Sequence, residues 1–291
     1  MDTRELLKKV RRIEIKTRGL TNQIFSGEYH SAFKGRGMAF SEVREYMPGD
    51  EIRTIDWNVT ARLSHPYVKV FEEERELTLM LLADMSASES FGTRNQLKRE
   101  MLAEICAVLA FSAVQNNDKV GISLFTDEVE LFIPPKKGRS HALRIIREIL
   151  DFDPKSKGTD VNTALQHFTR SIKRKSIGFV ISDFLDHNFE RSLKIAAQKH
   201  DMVAIRLADH SEEELPNVGI AQFRDPETGE MLWINTSSKK ARTAYKAAAL
   251  QRAALTRTMF KRSGVDFAEI LTHEDYVRKL MGLFQRRIAA A

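Results

Sequence analysis

Asp84, Ser86 and Ser88 stand at alternate positions immediately after the apolar run Leu77–Ala83. One carboxylate with two neutral hydroxyls is a donor set suited to a hard divalent cation such as Mg²⁺. That ion takes about six oxygens at roughly 2.0–2.1 Å and usually keeps several waters. With so little ligand charge it stays electrophilic. Taken alone, the cluster is equally readable as a turn, because Asp and Ser both favour turns. Two further oxygen-bearing residues occur at comparable places. Thr159 lies in a glycine-led loop ahead of a helical pattern, and Asp183 ends the apolar run Ser176–Ser182.

Positioning such a set requires strands that end together. Leu77–Ala83 is hydrophobic on both faces, as a central strand of a parallel sheet covered by helices must be. SIGFVISD, from Ser176 to Asp183, has the same character. In open α/β sheets the carboxyl ends of the strands are where ligands bind. The remaining chain supplies the alternation. Helical periodicity runs over Arg94–Gln115, Arg139–Leu150, Thr163–Lys173 and Phe189–Lys199, with strands at Met202–Leu207 and Val265–Leu271 and a closing helix over Glu274–Arg287. Val120–Phe125 and Val129–Ile133 flank Thr126-Asp127-Glu128 as a hairpin, and Ile220–Phe223 with Met231–Ile234 form a second, late in the sheet. The predicted fold is a doubly wound α/β domain whose mostly parallel sheet carries one antiparallel edge strand. Ahead of it, Asp2–Arg18 reads as a basic docking helix with Leu6, Leu7, Val10 and Ile13 on one side. Gly27–Gly37 reads as short strands or a hairpin, and Tyr67–Phe71 as a strand.

Asp84, Ser86, Ser88, Thr159 and Asp183 together resemble the metal-ion-dependent adhesion site of von Willebrand factor type A domains, Asp-x-Ser-x-Ser followed by Thr and Asp. Phe40–Arg62, FSEVREYMPGDEIRTIDWNVTAR, with Val68–Glu76 leading into the metal strand, is similar to the signature of the bacterial family called domain of unknown function 58. The resemblance implies a type A domain over 73–291 and an N-terminal appendage over 1–72. It implies one Mg²⁺ (or Mn²⁺) held directly by Ser86, Ser88 and Thr159, with Asp84 and Asp183 orienting those ligands at least partly through water. An open coordination position would take a Glu or Asp from a partner protein, making the metal a recognition element. The partner class implied is a MoxR-type AAA+ ATPase or a client it remodels, in complex assembly or envelope stress. The chain is then a non-enzymatic adaptor.

Composition narrows the alternatives. The 291 residues, 42% hydrophobic and 30% charged, are those of an ordinary folded protein with room for a substantial core. Ile105–Asn117 is uncharged but too short for the ~20 apolar residues of a membrane span, and the N-terminus is charged throughout. The expected location is the cytoplasm, with peripheral membrane association left open by the net charge of +6. Cys106, the single cysteine, reads as a buried structural thiol. No Gly-x-x-x-x-Gly-Lys-Ser/Thr loop and no Gly-x-Ser-x-Gly elbow occurs, and the eight histidines lack zinc-ligand spacing.

Two groups of cations are candidate partner-binding surfaces. Arg44, Arg53 and Arg62 surround the Pro48-Gly49-Asp50 turn, where an ion-pair network with Asp50 and Asp56 is the plainer account. From Met231 to Val265 there are eight Lys or Arg residues and no Asp or Glu. At about 100° per residue, Lys239, Arg242, Lys246, Arg257 and Lys261 share one side, opposite Ala241, Tyr245, Ala248, Leu255 and Met259. That pattern predicts a solvated basic face. An acidic protein suits it better than nucleic acid, because few aromatics interleave to stack bases. Nucleic-acid or anionic-surface binding through 239–262 is the alternative reading, and a metal-dependent hydrolase using Asp84 is another.

Overall fold

The computed structural model describes residues 3–20, 26–33, 39–72, 76–87, 98–186, 188–224 and 231–290. It divides into two compact units, one of residues 1–32 with 78–291 and a smaller one of 33–77. The first 32 residues thus group with the sheet, whereas the sequence assigned all of 1–72 to the appendage.

Helix α1 (Thr3–Leu20) and helix α2 (Ser26–Ala32) open the large unit. Val10 and Ile13 of α1 are buried, and Glu14 and Lys16 pair with Arg139 and Glu104. Helix α2 stands where the first part of Gly27–Gly37 was expected to form short strands or a hairpin, and residues 34–37 of that stretch lie outside the described residues. Tyr29 is fully buried, with its ring edge-on to Phe284 at 6.2 Å, so tertiary packing overrides the glycine spacing.

The small unit holds β1 (Ala39–Glu45), a 3-10 turn at Ile52–Thr54, α3 (Trp57–Leu63) and β2 (Tyr67–Glu72). The two strands pair antiparallel. Asp56 caps α3 by accepting from the Asn58 and Val59 amides.

The large unit continues with β3 (Thr78–Asp84), α4 (Lys98–Gln115), β4 (Lys119–Phe125), β5 (Val129–Lys136), α5 (Arg139–Asp151), α6 (Val161–Ser171) and β6 (Ile177–Ser182). After these come α7 (Glu190–Lys199), β7 (Asp201–Ala208), α8 (His210–Glu213), β8 (Ile220–Arg224) and β9 (Met231–Asn235). The chain closes with α9 (Lys239–Arg262), β10 (Asp266–Leu271) and α10 (Tyr276–Ala290). The sheet order is β10-β7-β6-β3-β4-β5, parallel throughout except for β5, which is antiparallel to β4 at the edge. This is the doubly wound arrangement predicted. Strands β8 and β9 form a separate two-stranded sheet, so the late hairpin does not extend the main one.

Strand β3 lies at the centre because it is apolar on both sides. Met80 and Leu82 join a core with Leu165 and Phe168 of α6, Leu193 of α7 and Phe260 of α9. Gly121 is required beside it: a Cβ there would meet Met80 Sδ at 2.7 Å and the Ile133 carbonyl at 2.8 Å, at the irregularity in the β4–β5 ladder.

Candidate metal centre

The register of the sheet builds the site. Ala83 lies beside Ile181 in the parallel ladder, so Asp84 and Ser182 leave adjacent strands side by side. Asp84 is fully buried, and its Oδ1 accepts the Ser86 amide at 2.9 Å, which folds the turn back on the carboxylate. Its Oδ2 accepts the Ser182 hydroxyl at 2.6 Å, and that hydroxyl oxygen accepts the Phe184 amide at 3.0 Å. Asp183 is 1% exposed. Its Oδ1 accepts the Leu185 amide at 3.3 Å and its Oδ2 the Lys98 ammonium at 3.1 Å. Lys98, the first residue of α4, is itself fully buried and also reaches Glu212 Oε1 of α8 at 2.7 Å. The Arg206 Nε–H donates to the Asp183 carbonyl at 3.3 Å, while its guanidinium pairs with Glu269.

Hydrogen bonds stitch the three turns together. The Ala87 amide donates to the Lys157 carbonyl at 3.1 Å, joining the turn after β3 to the loop that carries Thr159. The Val161 amide donates to Asp186 Oδ2 at 3.2 Å, joining that loop to the turn after β6. Asp160 caps α6 through the Thr163 amide and hydroxyl. Asp84, Ser86, Thr159 and Asp183 therefore belong to three turns tied to one another at the carboxyl edge. Ser88 lies outside the described residues.

Electrostatics make this edge unusual. Burial, and then the charge of Asp183, push the Asp84 carboxyl up to about 7. Burial likewise raises Glu212, with Lys98 pulling the other way. Among the described residues, three clustered carboxylates (Asp84, Asp183, Glu212) face one ammonium, Lys98, since Arg206 is committed to Glu269. The formal surplus of two negative charges suits a divalent cation. Among the described residues no trio of His, Cys, Asp or Glu side chains is arranged to hold a metal. An ion here would thus depend on hydroxyl oxygens beside the carboxylates, which fits hard-cation chemistry.

Sequence reasoning missed Lys98, Glu212 and Ser182. Ser182 was within reach, because two parallel strands both ending on Asp at the sheet edge bring the residue before the second Asp beside the first. Lys98 and Glu212 carried no local signal.

Four of the eight candidate cations are engaged within the chain. Arg44 forms a bidentate pair with Asp50, both bonds 2.7 Å, pinning the turn, and Lys69 rather than an arginine approaches Asp56 at 3.5 Å. Arg53 and Arg62 are exposed and take no part in those pairs. On α9, Arg242 donates to the Thr236 carbonyl, Lys246 pairs with Glu214 and Arg257 with Glu269 at 3.1 Å, while Lys239 and Lys261 are exposed. Met259 does face the core, but Ala248 is exposed and Leu255 is 64% exposed. The basic side of α9 is solvated, as expected, and the opposite side is buried only in part. Lys246 and Arg257 stay 54% and 64% exposed while pairing with Glu214 and Glu269, and alanine's helix propensity sustains an exposed apolar side. A cleft of about 880 Å³ between α1 and α5 is lined by none of the site residues. Cys106 is buried, and burial pushes its thiol up.

A mostly parallel six-stranded sheet with helices around it and acidic residues at adjacent strand ends defines a doubly wound α/β protein with a polar carboxyl-edge centre. The family described as Protein of unknown function DUF58 matches residues 42–254, and the chain belongs to that family. An uncharacterized protein of Mycobacterium tuberculosis is 29% identical over 284 residues, covering 97% of this chain and 89% of its own. The uncharacterized protein YeaD of Bacillus subtilis is 29% identical over 109 residues, 38% of this chain and 25% of that one. Among solved structures, the conserved hypothetical protein BatB from Bacteroides thetaiotaomicron covers 74% of this chain and 100% of its own at 15% identity, with a TM-score of 0.48. No helix among the described residues is long and apolar enough to cross a membrane.

Proposed function

We propose that the large unit is a von Willebrand factor type A module that binds one Mg²⁺ or Mn²⁺ at Asp84, Ser86, Ser88, Thr159 and Asp183, and uses it to bind a protein. The single observation that carries this reading is the pair of buried carboxylates, Asp84 and Asp183, at adjacent strand ends, where among the described residues one ammonium, Lys98, reaches Asp183 and Asp84 accepts only neutral donors. Two buried like charges persist only with protonation or a cation between them. When bound, the ion would supply an electrophilic vertex for a carboxylate. This chain's residues do the positioning. Asp84 fixes the Ser86 turn, Ser182 fixes Asp84, and Lys98 with the Leu185 amide fixes Asp183.

The partner that fits is a protein offering an exposed Glu or Asp. By family resemblance we propose a MoxR-type AAA+ ATPase or its client, with this chain as a non-enzymatic adaptor. The internal pairing of Lys246 and Arg257 with Glu214 and Glu269 weighs against α9 as a nucleic-acid surface. The test is retention of partner proteins from lysate by the wild type and by Asp84→Ala, each with Mg²⁺ and with EDTA. Retention lost on chelation and in the variant supports the reading. Retention indifferent to both would sink it. Direct titration of the chelated protein with Mn²⁺ provides the matching binding measurement.

A further inference from the structure

Lys98 is the one cation in contact with the acidic centre's side chains among the described residues, and the proposed function gives it no task beyond holding Asp183 while the metal is absent. Its ammonium is fully buried, 3.1 Å from Asp183 Oδ2 and 2.7 Å from Glu212 Oε1. A buried lysine is costly unless its donors are used. Here it touches the very carboxylate proposed to attend the metal. Two cations drawn to one carboxylate repel each other, so a divalent ion at Asp183 and a lysine at the same oxygen oppose one another.

The structure offers the lysine a second berth. Glu212 Oε2 is buried without a hydrogen-bond partner among the described residues, next to the oxygen Lys98 already engages. The short helix that carries Glu212 is a fixed platform. Asp209, just ahead of it, accepts the Ser211 amide at 3.0 Å on one oxygen and the Thr272 hydroxyl at 2.6 Å on the other. The four-carbon stem of lysine lets the ammonium turn from Asp183 toward both Glu212 oxygens while α4 stays in place.

We infer that Lys98 is a positioning residue that competes with the bound cation for Asp183 and moves onto Glu212 when the cation arrives, so that the Lys98–Glu212 pair sets the affinity of the site. This rests on the metal-binding reading above and adds to it a built-in competitor. The site is then tuned so that a cation binds only by displacing an internal one.

The experiment is isothermal titration of the full chain with Mn²⁺ after chelation, for the wild type, Lys98→Met, Glu212→Gln and the double variant. Lys98→Met should bind Mn²⁺ at least tenfold more tightly, and Glu212→Gln at least threefold more weakly. With the lysine gone, the Glu212→Gln effect should vanish, because Glu212 acts by drawing Lys98 away. An unchanged or weaker affinity in Lys98→Met overturns the inference, and so does a Glu212→Gln effect that persists undiminished in the double variant. Should Lys98→Met fail to fold, the ¹⁵N-lysine spectrum of the wild type decides. Added Mg²⁺ must move the Lys98 ammonium resonance at the concentration that saturates binding, and a static signal overturns the inference. A wild type that binds no cation removes the metal reading as well, whereas wild-type binding with unaltered variants removes only the role of Lys98.

Discussion

In the large unit Leu79, Met80, Leu81, Leu82 and Ala83 are all fully buried, and even Asp84 at the end of that strand, Asp183 after β6 and Lys98 at the head of α4 are shut away from solvent. In the small unit Met47, Ile52, Trp57 and Leu63 are between 53% and 69% exposed, and Val68 is buried. The difference follows from size and from what holds each unit. A sheet covered by helices removes apolar area from water on both faces. A unit of some 45 residues has too little volume for such a core. It relies on directional polar contacts: Arg44 with Asp50, the Asp56 cap, and the Tyr67 amide on the Thr60 hydroxyl at 3.0 Å. Large apolar side chains are thus enclosed in one unit and mostly exposed in the other.

The largest effect should come from the large unit's core. Phe260→Ala removes a fully buried ring that contacts Phe184, Phe189 and Phe267, and should destabilise the large unit by about 3–5 kcal/mol in urea unfolding. A loss below about 1 kcal/mol would erase the contrast between the units.

Next is a pH effect confined to the same unit. The Asp84 carboxyl, pushed up to about 7 in the folded chain, holds its proton at pH values where the unfolded chain has released it. Its contribution is therefore full below the unfolded carboxylate pKa of about 4 and is lost as pH rises through about 7. Chelated protein should melt at a lower temperature at pH 8 than at pH 5, and Mg²⁺ or Asp84→Asn should flatten that slope. An equal slope in Asp84→Asn would assign it elsewhere.

Asp50→Asn breaks the bidentate pair and should speed amide exchange around residues 46–50, leaving urea unfolding of the large unit unchanged. The smallest effect is expected for Trp57→Ala, whose side chain is 67% exposed. Stability should move by no more than about 0.5 kcal/mol. A loss above about 2 kcal/mol would show that the small unit has a core after all.

Much of the fold was legible because β3 and β6 announce themselves as apolar runs ending on aspartate, and the Thr126-Asp127-Glu128 turn marks the antiparallel edge. Those signals are local, and local signals survive folding. Helix α2 was hidden because the burial of Tyr29 against Phe284 joins residues more than two hundred positions apart. The pairing of the α9 cations was hidden for a related reason: Glu214 and Glu269, which pair with Lys246 and Arg257, lie outside the helix. At the centre, the carboxylates and hydroxyls could be listed from the chain. Lys98 and Glu212 could not, because a lysine heading an apolar helix reads as a solvated end until the fold closes over it.

Phe184 follows Asp183 with φ at 53°, a conformation that costs a side chain as large as phenylalanine roughly 1–3 kcal/mol. It is kept there by the Ser182 hydroxyl on one side and by its ring, edge-on to Phe260 at 4.9 Å, on the other. The bend that aims the second aspartate is therefore spring-loaded, latched by a helix far along the chain. Loosening Phe260 should let the bend relax and blunt the proposed cation binding even in molecules that remain folded.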